Sequence, residues 1–158
     1  MVTLLEAARQ ARLRSYSPYS HFAVGAALLA SDGSIFLGAN VENRSFGLTL
    51  CAERVALGAA VAAGCREFRA IAVVADADPP VPPCGACREV LAEFCPPEFV
   101  VHLANLGLAH RVVLLGDLLP DRFKFPTVLS PQELPATREA VGSSSNSGIT
   151  RWGKSPAR

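Results

Sequence analysis

Three cysteines and one glutamate have types and spacing that could build a catalytic metal site. The stretch LCAERVAL, residues 50–57, opens a predicted helix with Cys51 and places Glu53 two residues later. Downstream, PCGAC puts Cys84 and Cys87 in C-x-x-C spacing at the start of another predicted helix. This spacing lets two thiolates bind one zinc ion, because a loop presents the first and the first helical turn presents the second.

The C-x-x-C pair alone is also compatible with a redox pair or with half of a structural zinc site. A structural site uses four protein ligands, whereas three thiolates and one open position are typical of a catalytic zinc that keeps a water. No histidine is paired at a ligand spacing with another candidate. We expect Cys65 and Cys95 only to pack near helix ends. The remaining candidates for a fourth ligand are Cys65, Cys95, His21, His102 and His110.

Glu53 has a position that suits proton transfer. In the first helical turn it can lie over the metal without binding it, accept a proton from a bound water and pass that proton to a substrate atom. The alternative is a solvated carboxylate that the helix dipole stabilises. The cysteines on both sides of Glu53 in the sequence favour the catalytic interpretation.

The composition limits the class of protein. The chain has 158 residues, half of them hydrophobic, which suits one domain with a real core. Its net charge is +1, from 15 basic and 14 acidic residues, so no basic field attracts nucleic acid or an anionic membrane. No apolar run reaches the roughly 18 residues of a membrane helix, and no secretory signal is evident. The odd number of cysteines argues against a disulfide framework, and we expect a cytoplasmic protein.

The periodicity predicts an α/β fold with one five-stranded mixed sheet sandwiched by helices. Short loops between adjacent strands favour antiparallel pairing, and helical connections favour parallel pairing. Thr3 and Glu6 form a capping-box pattern, and Thr49 is the predicted N-cap of the second helix. The segment at 43–48 is a predicted loop. The predicted helices are 3–15, 49–64 and 84–95, and the predicted strands are 21–30, 34–42, 68–75, 99–104 and 110–115.

A change of composition near Pro135 predicts the domain organisation. We expect a catalytic domain over residues 1–134 and a flexible C-terminal tail over 135–158. The stretch SSSNSG gives the tail little to bury, and Trp152 is its only large apolar anchor.

The motifs together resemble the zinc-dependent cytidine deaminases of the small, homotetrameric type. C-A-E is followed, 33 positions after its cysteine, by P-C-G-A-C-R, and the likeness includes YSPYSHFAVGAALL, GANVENRSFGLTLCAERVAL and LLPDRF. The resemblance implies an α/β/α fold and one Zn²⁺ per chain on Cys51, Cys84 and Cys87, with Glu53 as proton shuttle. It also implies pyrimidine salvage, in which cytidine and deoxycytidine become uridine and deoxyuridine plus ammonia.

The resemblance further implies a set of substrate contacts. Asn40 and Glu42 would bind the ribose hydroxyls, and residues two apart on a strand do face the same side. We expect both side chains to accept hydrogen bonds from the sugar. The other implied contacts are Phe22 and Phe46 against the substrate, the backbone N–H of Ala52 to the 2-oxo group and the carbonyl of Pro82 to the exocyclic amine.

Two more residues gain roles from the resemblance. Arg54 would bond the thiolates and withdraw charge from a net negative centre. Phe123, after LLPDR, matches an aromatic residue that relatives donate to a neighbouring subunit's pocket, so a homotetramer with shared active sites is implied. The continuation KFPTVLSP departs from the family's usual sequence, which leaves Phe125 as a substitute.

Three other functions use some of the same residues. A blasticidin-S-type deaminase or a polynucleotide editor could carry the same metal triad, but the near-neutral charge and the NVEN motif argue against an editor. A zinc-stabilised binding module without turnover would have no need of Glu53.

Overall fold

A five-stranded sheet forms the centre of the molecule in the computed structural model, which describes residues 3–123. The strand order is β2-β1-β3-β4-β5; β3 and β4 are parallel, and the other neighbours are antiparallel. The predicted mixed sheet is therefore confirmed. The strands are β1 (Val24–Ala30), β2 (Ile35–Ala39), β3 (Phe68–Ala75), β4 (Val100–Ala104) and β5 (His110–Leu114).

Helices cover both faces of the sheet, and alternation along the strands determines which residues each face buries. Helix α1 packs on one face, where Ala27, Ala72 and Val74 are buried. Helices α2 and α3 pack on the other, against a larger core that includes Leu28 and Ile71. The helices are α1 (Leu4–Arg12), α2 (Ala52–Ala62), α3 (Gly85–Phe94) and the short α4 (Leu115–Leu118).

Helix α1 begins as predicted and ends earlier. The Thr3 Oγ1 atom accepts a hydrogen bond of 3.2 Å from the backbone N–H of Glu6 and so caps the helix. Helical structure ends at Arg12, whereas the sequence predicts an end near residue 15. The next residue, Leu13, is 72% exposed, so continuing the helix would bury no apolar side chain there.

Four local features differ from the sequence-based expectations. The cap of α2 is Cys51 and not Thr49, because the Thr49 Oγ1 atom accepts a bond from the N–H of Asn43 instead. Strand β2 ends at Ala39, so the segment 40–42 lies just beyond it. A 3₁₀ turn, Phe46–Leu48, interrupts the predicted loop. Helix α4 was not predicted, since four residues are too few to show a helical period.

Contacts divide the chain into Met1–Arg122 and Phe123–Arg158. The predicted domain boundary at residue 135, the predicted flexible tail and Phe125 all lie outside the described residues and stay predictions. None of the helices within residues 3–123 combines the length and the apolar composition that a membrane span requires.

Close packing at Gly38 fixes helix α2 against strand β2. A Cβ atom at this position would lie 2.1 Å from the carbonyl oxygen of Ala52 and 2.5 Å from the backbone nitrogen of Ala56. Only a residue without a side chain permits this approach. Because Ala52 follows Cys51 directly, the same contact determines where the N-terminus of α2 lies.

We predict that Gly38→Ala lowers the free energy of unfolding by about 1–3 kcal/mol or more, because the added methyl group would meet helix backbone and not a flexible side chain. Gly58→Ala is the matched control. Gly58 is an exposed residue inside α2 with open space around it, so alanine should raise stability by up to about 1 kcal/mol. Urea unfolding of both variants measures the difference. A Gly38→Ala protein as stable as the parent would contradict this packing argument.

Candidate active site

Two helices begin at one end of the sheet, where β3 ends and β1 begins. Cys51 is the N-cap of α2, Cys84 is the N-cap of α3, and Cys87 lies in the first turn of α3. Neither cap residue makes a side-chain capping bond. Both helix N-termini therefore carry a cysteine whose sulfur is available to a metal, in a region where the helix dipoles favour negative charge.

The three sulfurs have the spacing of zinc ligands. The Sγ atoms of Cys51 and Cys84 are 3.7 Å apart, and all three Sγ atoms lie within 4.8 Å of one another. Two thiolates about 2.3 Å from one tetrahedral ion are separated by roughly 3.8 Å. Among the described residues this is the one group of three such side chains that could hold a metal. Neither Cys65, Cys95 nor any histidine joins it.

The environment of Cys51 favours its thiolate form. A hydrogen bond from the Cys87 thiol outweighs burial and, with help from Arg54 and Cys84, lowers the pKa of Cys51 to about 5. The Arg54 Nη2 atom lies 3.4 Å from the Cys51 sulfur and 2.8 Å from the carbonyl oxygen of Thr49. Arg54 can thus hold its positive charge against a metal-binding sulfur.

Glu53 is buried beside the cysteines, with only 5% of its surface exposed. Burial is the main cause that raises the pKa of its carboxyl group, and the negative charge of Cys51 adds to the effect. The alternative of a solvated carboxylate at a helix N-terminus is therefore wrong. A carboxyl group that binds a proton more tightly than an exposed glutamate is suited to accepting and returning one.

A cavity of about 310 Å³ opens next to Glu53 and is large enough for a small ligand. Six predicted contacts line it: Phe22, Asn40, Glu42, Phe46, Ala52 and Pro82. Residues that were not predicted line it as well: Ser20, Val24, Thr49, Val73 and Val81. Phe123 belongs to the other unit of the chain, so its role stays a prediction.

The side chain of Asn40 makes more hydrogen bonds within the protein than the sequence suggests. Its Oδ1 atom accepts hydrogen bonds from the Ser15 hydroxyl, at 2.6 Å, and from the N–H of Val24, at 2.8 Å. Its Nδ2 atom donates one bond of 2.9 Å to the carbonyl oxygen of Phe22. One N–H remains free. The expectation that Asn40 accepts from a ligand hydroxyl is therefore wrong, since its oxygen is already used and its amide can only donate.

Glu42 keeps its capacity as an acceptor. Its Oε2 atom accepts bonds from the backbone N–H groups of Tyr19, at 2.9 Å, and Ser20, at 3.2 Å, while the Ser20 hydroxyl donates to Oε1. Burial raises the pKa of Glu42, but these bonds outweigh it, so the pKa lies below its ordinary value. Glu42 is thus a charged acceptor with lone pairs left on Oε1.

The lining of the cavity contains two carboxylates, Glu42 and Glu53, and no lysine, arginine or histidine. Most of the lining is apolar and includes the two phenylalanines. The cavity is therefore suited to a flat, uncharged ligand with hydroxyl groups, and it offers no cation to a phosphate group.

Comparisons with known proteins agree with this geometry. A family model described as the cytidine and deoxycytidylate deaminase zinc-binding region matches residues 2–103. The chain is 55% identical over 120 residues to a cytidine deaminase of Halalkalibacterium halodurans, covering 76% of this chain and 91% of that protein. The crystal structure of a Burkholderia pseudomallei cytidine deaminase superposes with a TM-score of 0.74 at 55% identity, covering 76% of this chain and 96% of the other.

A second kind of deaminase is more distant. The blasticidin-S deaminase of Bacillus cereus is 33% identical over 128 residues, covering 76% of this chain and 89% of that protein. The identity to this relative is thus well below the identity to the two cytidine deaminases.

We predict that Cys84→Ala reduces bound zinc from about one ion per chain to near zero, because two thiolates cannot complete the site. Cys65→Ala is the control, since Cys65 packs against the core and takes no part in the sulfur group. Metal analysis of both purified variants by plasma emission spectrometry makes the comparison. Equal zinc content in the two variants would remove Cys84 from the ligand set.

Proposed function

The chain belongs to the cytidine and deoxycytidylate deaminase family, and from this premise we propose that its cavity hydrolyses cytidine and deoxycytidine to uridine and deoxyuridine with release of ammonia. One observation carries the proposal: a buried carboxyl group, Glu53, lies beside three thiols at the end of a cavity of about 310 Å³. A metal ion and a proton carrier that meet in a pocket for the base are the requirements of hydrolytic deamination.

Zinc is the cofactor of the family, and Cys51, Cys84 and Cys87 would hold it. When bound, it would supply a Lewis acid that lowers the pKa of the attacking water molecule. In the proposed reaction Glu53 takes a proton from this water and delivers it to N3 of the pyrimidine ring. The oxygen of the water would add to C4. Glu53 would then take the remaining proton of that oxygen and pass it to the amine, so that the C4–N bond breaks, ammonia leaves and the oxygen becomes the carbonyl of the product. Glu53 ends the cycle in the state in which it began.

The base would be held by contacts from several segments. In the proposed complex the backbone N–H of Ala52 donates to the 2-oxo group, and the carbonyl of Pro82 accepts from the exocyclic amine. Phe22 and Phe46 provide apolar packing for the substrate. All four residues line the cavity, which supports these roles.

The sugar would be held by Asn40 and Glu42. After their internal bonds, Asn40 retains one N–H and Glu42 retains lone pairs on Oε1. This is the capacity needed to satisfy one hydroxyl group as both donor and acceptor. The count supports recognition of a single sugar hydroxyl and hence the use of both cytidine and deoxycytidine.

We also propose a homotetramer in which neighbouring chains complete the active sites. Phe22 and Phe46 of the cavity lining are exposed, and so are Tyr16, Val41 and Leu50, which isolated backbone bridges bring together. Neighbouring exposed apolar side chains of this kind are typical of a protein interface. Phe123 of a neighbouring subunit would close the cavity. A cytoplasmic location belongs to the same proposal, because reducing conditions keep the five free thiols from oxidising.

The direct test is ammonia release from purified protein and cytidine. We predict that Glu53→Gln keeps about one zinc per chain but loses at least about 100-fold in kcat, since an amide cannot carry the proton. Blasticidin S and a single-stranded oligonucleotide, offered in parallel, test the rival substrates. Normal turnover by Glu53→Gln would exclude Glu53 as the proton carrier, and faster turnover of blasticidin S would overturn the proposed substrate.

The shared site is tested by complementation between two weakly active variants, Glu53→Gln and Phe123→Ala. Unfolding, mixing and refolding with zinc should produce oligomers in which one site combines an intact Glu53 with an intact Phe123 from another chain. Activity should then exceed the mean of the parents. If native mass spectrometry confirms mixed oligomers and activity stays at that mean, Phe123 does not act across a subunit interface.

A further inference from the structure

The Ser20 hydroxyl is hydrogen-bonded both to Glu42, a proposed sugar contact, and to Phe22, a proposed base contact. It accepts a hydrogen bond of 3.0 Å from the backbone N–H of Phe22 and donates to the Oε1 atom of Glu42. A serine hydroxyl has only one hydrogen, which is committed to Glu42. Ser20 itself lies at the exposed mouth of the cavity, whereas the carboxylate that it contacts belongs to a residue that is only 5% exposed.

The backbone around Ser20 holds an uncommon conformation. His21 has φ of +56°, in the left-handed region that costs a residue with a side chain roughly 1–2 kcal/mol. The N–H of His21 donates to the carbonyl oxygen of Ser17 at 3.0 Å, and the bond from Phe22 to the Ser20 hydroxyl closes the turn over His21. Strain of this kind persists where the surrounding structure requires one geometry. Here that geometry aims the hydroxyl at Glu42.

The two oxygens of Glu42 are held in different ways. Two backbone N–H groups bind Oε2, so no side chain is needed to hold that atom. Among the described residues, Ser20 provides the one side-chain bond to Oε1, and Oε1 is the atom with lone pairs left for a ligand. The direction of those lone pairs therefore depends on the Ser20 hydroxyl.

We propose that Ser20 is a positioning residue for sugar recognition, acting through Glu42. The inference rests on the proposed function, in which Glu42 binds a hydroxyl of the nucleoside. Ser20 sets the orientation of the carboxylate so that Oε1 meets this hydroxyl. Because Ser20 also binds the N–H of Phe22, it fixes the position of the sugar contact relative to the base contact. The sugar hydroxyl, rather than the reacting ring, is the part of the substrate that depends on Ser20.

The test assigns Glu42 to the 3′-hydroxyl that cytidine and deoxycytidine share. It compares cytidine with 2′,3′-dideoxycytidine, which lacks this hydroxyl and keeps only the one at the 5′ position. Ser20→Ala should raise KM for cytidine about tenfold and leave kcat within about twofold, the signature of a lost ground-state contact. The ratio of kcat/KM for cytidine to kcat/KM for dideoxycytidine should fall by about the same factor. This ratio does not depend on how much of the variant is folded, so partial unfolding does not obscure it.

Three variants separate positioning from a general effect on the loop. Ser20→Thr keeps the hydroxyl and should keep the substrate ratio near that of the parent. Ser34→Ala removes a hydroxyl at the turn between β1 and β2 and should change nothing. In a Glu42→Ala background, Ser20→Ala should produce no further change in the ratio, because a residue that acts only through Glu42 has nothing left to act on.

The outcomes distinguish this inference from the proposed function. If the parent protein releases no ammonia from cytidine, the proposed function is wrong. If the parent is active and Ser20→Ala leaves the substrate ratio unchanged, the inference about Ser20 alone is overturned. A further fall of the ratio in the Glu42→Ala background would likewise overturn it, since Ser20 would then act by another route.

Discussion

The site depends on the meeting of two helix N-termini at one point. Helices α2 and α3 both begin with a cysteine, and the two sulfurs approach within 3.7 Å. Most helices place serine, threonine, aspartate or asparagine at this position to satisfy the first N–H groups. Here the cysteine side chains make no such bond. The two helices therefore lack the stabilisation of a side-chain cap, and the thiols remain available to a metal. The rest of the chain must hold the two helix ends together.

The sheet provides this support. The carboxyl ends of β2 and β3 and the amino end of β1 lie at the same edge, so the segments that leave them, 20–24, 40–42 and 76–84, converge on one cavity. A crossover through α3 joins the parallel pair β3 and β4, and Cys84 and Cys87 lie at the start of this helix, near the edge where β3 ends. Ligands commonly bind outside the carboxyl ends of strands in open α/β sheets. Hydrogen bonds to nearby residues then hold the Asn40 amide and the Glu42 carboxylate in one orientation each.

The sequence predicts the chemistry of the site better than its hydrogen bonds. Cys51, Glu53 and the C-x-x-C pair stand out because their spacing has a direct chemical meaning, and the strand FRAIAVVA stands out because it is apolar and β-branched. The saturated oxygen of Asn40 could not be predicted, since its partners are a hydroxyl 25 residues away and a backbone N–H. The N-cap at Cys51 was missed because threonine is the better cap by propensity, and the metal site overrides that preference.

Small side chains set the spacing between the layers of the molecule. Alanine fills much of both cores, and Gly25 and Gly38 let helix backbones on opposite faces approach the β1–β2 hairpin directly. Each helix backbone therefore packs directly on the sheet, with no flexible side chain between them at these glycines. Cys51 caps α2 and Glu53 lies in its first turn, so a methyl group added at Gly38, under the start of this helix, would shift both side chains at once. Substitutions in the sheet that move α2 should therefore change metal affinity and turnover together, even where the substituted residue itself contacts neither zinc nor substrate.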